Sequence, residues 1–158
     1  TSSQPGDDGY YRMGIAWPSP RFIDNGNGTI TDRLTGLIWQ QDGGNLSNKW
    51  EDAFKKIAEM NSTVKTGGYT DWRMPNINEL RSLINYHYDK NQDVWLTNQG
   101  FKNLPSTQDT YYYSSTSIDN NCWSLCINSS NSPDTILINS TVGKDMPGYV
   151  IAVRGGYR

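Results

Sequence analysis

The side chains that could act as nucleophiles, bases or metal ligands are few in this chain. His87 is the only histidine, and Cys122 and Cys126 are the only cysteines. A general base or a zinc site needs partner side chains at defined spacing, and no Cys/His cluster supplies them. Ser114 and Ser115 lack a Gly-x-Ser-x-Gly elbow and a histidine base. The sequence therefore predicts no catalytic residue, no metal site and no cofactor, and it predicts a packing or helix-end role for His87.

The two cysteines belong to a segment, residues 121–127, in which apolar and polar residues alternate. This alternation predicts a strand whose apolar residues face inward, with Cys122, Ser124 and Cys126 on the other face. Residues four apart on one face of a strand are separated by roughly 13 Å, which is too far for a disulfide. We therefore expect two free thiols on the outward face.

Composition limits the classes of partner. The length of 158 residues suits one domain with its own core, which we expect over residues 10–158 after a flexible lead-in at 1–9. The chain has 14 basic and 16 acidic side chains, so it has no basic field to attract nucleic acid or an anionic membrane. No apolar run approaches the ~18 residues of a membrane span.

Turn residues and hydrophobic patterning predict short strands in the first half of the chain. The turn at residues 24–28 is rich in Asp, Asn and Gly, which tolerate positive φ, and it lacks the downstream Glu of a calcium loop. Asp71 and Arg73 flank Trp72, and we expect them, like Arg154, to make structural ion pairs or backbone-directed hydrogen bonds. The predicted strands span residues 22–23, 29–31, 37–39 and 71–74.

Two helices are predicted from capping patterns followed by helical periodicity. Asn48 with Glu51 is typical of a helix N-terminus and predicts a helix that ends near Met60. Asn76 with Glu79 repeats the pattern and predicts a second helix.

The second half of the chain predicts a long loop followed by strands. We expect the loop over residues 86–110, with Trp95 and Phe101 packed inward. Strands, two helices and a strand-rich second half together predict an α+β domain. The predicted strands of this half span residues 111–115, 122–127, 135–138 and 150–154.

A polar region next to three consecutive tyrosines is the candidate binding surface. Tyr with Ser and Asn is typical of antibody-like binding surfaces, where rigid rings supply contact area and small polar groups supply adaptable hydrogen bonds. The alternative is a solvated sheet edge with polar loops. The predicted ligand-binding residues are Tyr111, Tyr113, Ser117, Asp119, Asn120, Asn121, Cys122, Ser124, Cys126, Asn128, Ser130, Asn131, Asp134, Asn139, Thr141 and Asp145.

Four motifs occur together in this chain and carry a family resemblance. They are Phe22-x-Asp24-Asn-Gly-x-Gly-Thr, Thr35-Gly-Leu-x-Trp39, Gly68-Tyr-x-Asp-Trp-Arg-x-Pro-Asn-x-x-Glu-Leu-Arg81 and Ser114-Ser-Thr116. With these motifs the chain resembles the bacterial domain family named after the C-terminal domain of a collagen-like Legionella adhesin. The resemblance covers residues 14–156. It implies a C-type-lectin-like fold with two helices and a mainly antiparallel, twisted sheet plus long loops.

The resemblance also implies a function. Related variable proteins of diversity-generating retroelements carry adenine-mutated codons in their C-terminal strands and loops, and outward cysteines at 122 and 126 fit such replacement. The expected protein is then a non-enzymatic binder on a cell surface or virion, or otherwise extracellular, with a protein or glycan ligand on a cell surface. One alternative is a fixed secreted adhesin of glycans such as sulfated polysaccharides. The other is a copper-dependent thiol oxidase related to formylglycine-generating enzymes.

Overall fold

Two sheets and three helices make up the part of the chain that the computed structural model describes. The described residues are 4–5, 11, 14, 16–86, 92–105, 110–127 and 137–155, with the backbone alone described at 137–140. His87 and most of the lead-in predicted at 1–9 lie outside them.

The helices and strands follow one another in the order strands, helices, strands. The first strands are β1 Phe22–Asp24, β2 Thr29–Asp32, β3 Leu37–Gln40 and β4 Asn45–Ser47. The helices are α1 Trp50–Glu59, α2 Ile77–Ser82 and α3 Gln92–Asn98, with a π-helical turn at Met60–Val64 and a 3₁₀ turn at Thr66–Gly68. The last strands are β5 Tyr111–Ile118, β6 Asn121–Cys126, β7 Leu137–Gly143, β8 Gly148–Val150 and β9 Val153–Gly155.

The strands form one four-stranded and one five-stranded sheet. The first has the order β1-β2-β3-β9 and is antiparallel throughout. The second has the order β4-β8-β5-β6-β7 and is antiparallel except where β5 and β8 run parallel. The last described strand returns to the first sheet, where Val153 pairs with Trp39. The predicted α+β class is confirmed.

The two predicted helix starts have different outcomes. Asn76 forms the predicted capping box, in which its Oδ1 accepts from Glu79 N at 2.9 Å and its N–H donates to Glu79 Oε2 at 2.8 Å. The cap predicted at Asn48 is wrong, because α1 begins after Lys49 without a side-chain cap. Its first N–H, that of Trp50, instead donates to the carbonyl of Lys144. A tertiary hydrogen bond thus satisfies a donor that a local side chain usually serves.

The loop predicted over residues 86–110 is wrong in its middle, where α3 forms. This helix has seven residues, which is too short for a clear sequence period. The Gln92 side chain supports its start, because it accepts from Asn85 N at 3.1 Å and donates to Asn85 O at 2.8 Å. Trp95 and Phe101 are buried as predicted. The strand predicted at 71–74 is reduced to an isolated bridge between Arg73 and Val153.

The core consists of two clusters, and β6 contributes to both. Leu125 packs in the cluster built around Trp39, whereas Cys122 packs in the cluster that includes Ala53 of α1. Both faces of β6 are therefore covered. The alternation of apolar and polar residues along β6 predicts one solvent-exposed face. That prediction is wrong, because β6 is a central strand covered on both sides and its small polar residues are buried.

Candidate functional site

Two neighbouring turns at one end of the five-stranded sheet form the main exposed polar surface of the predicted binding region. We define this turn surface as residues 118–121, where β5 ends and β6 begins, and 144–147, between β7 and β8. Lys144 N donates to Asn120 O at 3.0 Å, and Asn121 pairs with Gly143 across β6 and β7. These backbone contacts hold the two turns side by side.

Trp50, the first residue of α1, supports both turns from below. Its backbone N–H donates to Lys144 O at 2.8 Å, and its ring Nε1 donates to Ser114 O at 2.8 Å. The Lys144 ammonium lies 4.7 Å from the centroid of the Trp50 ring and donates to Asp119 O at 2.7 Å. One tryptophan and one lysine thus connect α1, β5 and both turns through hydrogen bonds and a cation–π contact.

Tyr113 supports the second turn from inside the sheet. It is fully buried, its hydroxyl donates to Met146 O, and burial raises its pKa to about 12. Gly148 lies against its ring, since a Cβ added there would be 2.6 Å from Tyr113 Cζ. The exposure predicted for Tyr113 is wrong, and the residue is a support of the turn surface.

The structure separates the predicted ligand-binding residues into five groups. Exposed residues are Ser117, Asp119, Asn120, Asn121, Thr141 and Asp145, and Tyr111 is half-buried. Buried residues are Tyr113, Cys122, Ser124 and Cys126. Asn128, Ser130, Asn131 and Asp134 lie outside the described residues, and Asn139 is described only as backbone of β7. The turn surface brings together Asp119, Asn120, Asn121 and Asp145, whereas Thr141 lies on β7 opposite Trp123.

The outward position predicted for Cys122, Ser124 and Cys126 is wrong, since all three are 0% exposed. The two thiols are free, as predicted, and no disulfide joins them. Cys122 Sγ lies 3.7 Å from Val142 O as a weak donor, and burial raises its pKa to about 11. A buried thiol with this pKa stays protonated at neutral pH and is a poor nucleophile or copper ligand.

An open cleft of about 470 Å³ adjoins this region along α1. Phe54, Asn61, Trp72 and Ser115 are among its lining residues. Phe54 is 39% exposed and packs edge-on against Trp50 with ring centroids 4.6 Å apart. This contact connects the cleft to the support of the turn surface.

The start of α2 positions the end of β5 that carries Ser115 and Ser117. Ser115 N donates to Pro75 O at 2.8 Å, and Ile77 N donates to Thr116 Oγ1 at 3.1 Å. The motif at residues 68–81 therefore contacts β5, the strand that leads into the first turn of the turn surface.

The predicted structural roles of the charged motif residues are confirmed. Arg73 makes a two-bond ion pair with Glu79 at 2.8 and 2.6 Å, and this hydrogen bonding raises the pKa of Arg73. Arg154 pairs with Asp71 at 2.7 Å, and its guanidinium lies 3.7 Å from the centroid of the Tyr69 ring. These pairs join the start of α2 and β9 to the loop that precedes α2.

Several residues on or beside the turn surface were not predicted to belong to it, because nothing in their sequence pattern indicates a binding role. Ile118 and Met146 are 53% and 57% exposed and place apolar side chains on the polar turn surface. Lys49 pairs with Asp145 at 3.2 Å, and both side chains are largely exposed, so this ion pair contributes little stability.

Within the described residues, no group of three His, Cys, Asp or Glu side chains is arranged to hold a metal ion. Over the same residues, no helix is long and apolar enough to cross a membrane.

Comparison with known proteins identifies the family. A family model described as the Lcl C-terminal domain matches residues 28–154, which include α1, α2, the cleft and the turn surface. A search among curated proteins found no match.

Proposed function

We propose that this chain, which belongs to the Lcl C-terminal domain family, is an adhesin-like domain that binds its ligand on the turn surface. The family supports the general class, a ligand-binding domain that acts at a surface. The observation that carries the assignment to this surface is the convergence of two exposed turns on a support formed by half-buried Trp50 and buried Tyr113. A rigid support with adaptable polar groups on top is the usual arrangement of a binding surface.

The ligand class that this surface favours is a cell-surface protein. Ile118 and Met146 supply exposed apolar contacts within a polar rim, which is the usual composition of protein interfaces. Sulfated polysaccharides are less favoured, because Lys144 is already bonded to Asp119 O and Lys49 is paired with Asp145. Clustered and unpaired cations would be needed to attract a polyanion.

A non-enzymatic role is part of the proposal. The thiol-oxidase alternative needs thiolates that copper and substrate can reach. Cys122 and Cys126 are completely buried, and the pKa of Cys122 is raised by burial to about 11. These two observations favour binding over chemistry at the cysteines.

A variable protein of a diversity-generating retroelement is the second, more specific candidate. Its support is the presence of exposed Asn120 and Asn121 side by side on one surface, where replacement costs little stability. Burial of Cys122 and Cys126 removes the argument that these cysteines are products of random replacement. Sequencing the encoding locus decides this candidate: a near-copy of codons 111–158 that differs mainly at adenines supports it, and a locus without a near-copy rejects it.

The test of the binding proposal is attachment of the purified, labelled domain to a panel of intact cells. We expect Asn120→Ala and Asn121→Ala, both at exposed positions of the turn surface, to weaken attachment about fivefold or more, as for central interface residues. Asn98→Ala and Thr97→Ala are matched controls, because both residues are exposed on α3, away from the turn surface. Equal attachment of all four variants would reject the assignment.

Treatment of the cells separates the two ligand classes. Protease treatment should abolish attachment when the ligand is a protein. Loss of attachment after glycosidase treatment alone would assign a glycan ligand and reject the protein ligand.

A further inference from the structure

A second concave site lies on the opposite flank of α1 from the cleft. It has a volume of about 240 Å³ and lies where β3, β4 and β8 meet α1 and the π-helical turn. The side chains that matter for its chemistry are Gln40, Asn45, Lys56 and Glu59 around its wall, with Ile57 and Met60 as apolar lining. None of these residues belongs to the turn surface.

The amide of Gln40 is the unusual feature of this pocket. Gln40 is 8% exposed, and its Oε1 accepts from Ala152 N at 3.3 Å. This contact identifies Oε1 as the atom that faces Ala152 N, so Nε2 remains available as a hydrogen-bond donor. In the part of the chain that the structure describes, Nε2 donates to no acceptor. A largely buried amide that lines a pocket with unused donors is suited to a ligand oxygen.

The rim of the pocket carries one cation and one anion. Lys56 and Glu59 lie three residues apart on α1, and both are exposed. Neither forms an ion pair among the described residues, with each other or with a third group. Asn45 donates through Nδ2 to Asp42 O at 3.3 Å, which leaves its Oδ1 as an acceptor.

The apolar lining continues into a π-helical turn. Ile57 is buried on α1, and Met60 begins the turn that runs to Val64, which also lines the pocket. Segments of π-helix are rare and are frequent at functional sites, because they displace side chains from the regular helical positions.

We propose that this pocket binds a free α-amino acid with an aliphatic side chain. The carboxylate would accept from Gln40 Nε2 and Lys56 Nζ, and the ammonium would donate to Glu59. The aliphatic group would pack on Ile57 and Met60. A zwitterion pairs with both charged residues of the rim at once. A neutral sugar leaves both without a counter-ion, and a polyanion is repelled by the Glu59 carboxylate. The small volume suits a ligand of this size.

The experiment is a titration of the ¹⁵N-labelled full chain with L-leucine, followed by NMR. We expect saturable shifts of the Gln40 side-chain amide and of α1. Gln40→Glu removes the donors while it keeps the acceptor for Ala152 N, and it should weaken leucine binding about tenfold or more. Lys56→Ala should also weaken binding. Lys55→Ala is the matched control, because Lys55 is on the same helix, is paired with Asp52 and does not line the pocket.

Several results would overturn the proposal. They are the absence of saturable shifts at millimolar leucine, unchanged affinity in Gln40→Glu, or saturation by methyl glucoside in place of leucine. If Gln40→Glu does not fold, Lys56→Ala and Glu59→Gln decide, since both positions are exposed. Asn120→Ala should bind leucine normally, so the outcome here is independent of binding at the turn surface.

Discussion

Two aspartates that follow or end a strand have opposite surroundings in this domain. Asp32, at the end of β2, is completely buried and accepts from Arg21 Nε at 2.9 Å and from Arg21 Nη2 at 2.7 Å. It also accepts from the next turn, through Leu34 N and Thr35 Oγ1, both at 2.9 Å. Asp119, directly after β5, is exposed, and it is its backbone carbonyl that accepts from Lys144.

The two aspartates differ in which part of the residue makes the structural contacts. At Asp32 each carboxylate oxygen is used by the frame, so the side chain has no capacity for a ligand. At Asp119 the main chain makes the structural contact, and the carboxylate is left for solvent or a partner. Where the main chain of an exposed turn residue makes the structural hydrogen bonds, its side chain can be replaced with little effect on folding, provided that the new residue tolerates the backbone conformation.

The largest expected effect is the loss of the Asp32 carboxylate. Asp32→Ala leaves the Arg21 guanidinium buried without its counter-ion, and removing one partner of a buried pair costs about 3–5 kcal/mol. Urea unfolding measures this change. Asp119→Asn is the matched control and should stay within about 0.5 kcal/mol of the wild type, because asparagine tolerates the left-handed backbone of this residue (φ 48°). A loss below about 1 kcal/mol for Asp32→Ala would remove the contrast between the two aspartates.

A smaller effect is expected at the support of the turn surface. Trp50→Phe keeps a ring below Lys144 but loses the Nε1 hydrogen bond to Ser114 O, at a cost of about 1–2 kcal/mol. The amide resonances of the two turns should shift in NMR spectra. Trp17→Phe is the control, because Trp17 is 44% exposed and its Nε1 makes no hydrogen bond among the described residues. Equal losses for the two variants would contradict the role given to Trp50.

Alkaline pH tests the burial of Cys122. Its pKa is raised from 9.0 to about 11, so the unfolded chain releases this proton first and stability falls as pH rises from 9 to 11. One proton corresponds to at most about 1.4 kcal/mol per pH unit. Cys122→Ala should fall less steeply in urea unfolding over this range. The remaining decline above pH 10 comes from Tyr112 and Tyr113, because burial raises the pKa of both hydroxyls above the value in the unfolded chain. Identical slopes for variant and wild type would indicate that the thiol is accessible.

The smallest effect on stability is expected at Asn120. Its backbone carbonyl accepts from Lys144, whereas its side chain makes no hydrogen bond among the described residues. Asn120→Ala should therefore remain within about 0.5 kcal/mol of the wild type in thermal or urea unfolding. Asn98→Ala on α3 should behave in the same way. A loss above about 1.5 kcal/mol would assign Asn120 to the frame.

Local signals in the sequence predict much of the frame correctly. The Asn76–Glu79 capping box needs only residues three apart, and it forms as predicted. The turn-bounded strands β1, β2 and β3 also form where the glycine and asparagine pattern places them. The short helix α3 is missed because seven residues hold too few apolar positions for a helical period.

The candidate site is predicted less well, for a different reason. Alternation along β6 tells which residues share a face, but not whether that face meets water or a second layer. Cys122, Ser124 and Cys126 do share a face, and that face is buried. The exposure predicted for Asp119, Asn120, Asn121 and Asp145 is confirmed, because turns lie at the surface.

The sequence by itself determined the strand-forming and helix-forming segments, the two free thiols and the family. Only the tertiary structure decided that Trp50 and Lys144 join the two turns, and that Gln40 retains unused donors beside Lys56 and Glu59. The physical reason is the distance along the chain between the partners. Capping and turn formation depend on neighbours within a few residues, whereas burial and support depend on segments that meet only when the two sheets and α1 pack together.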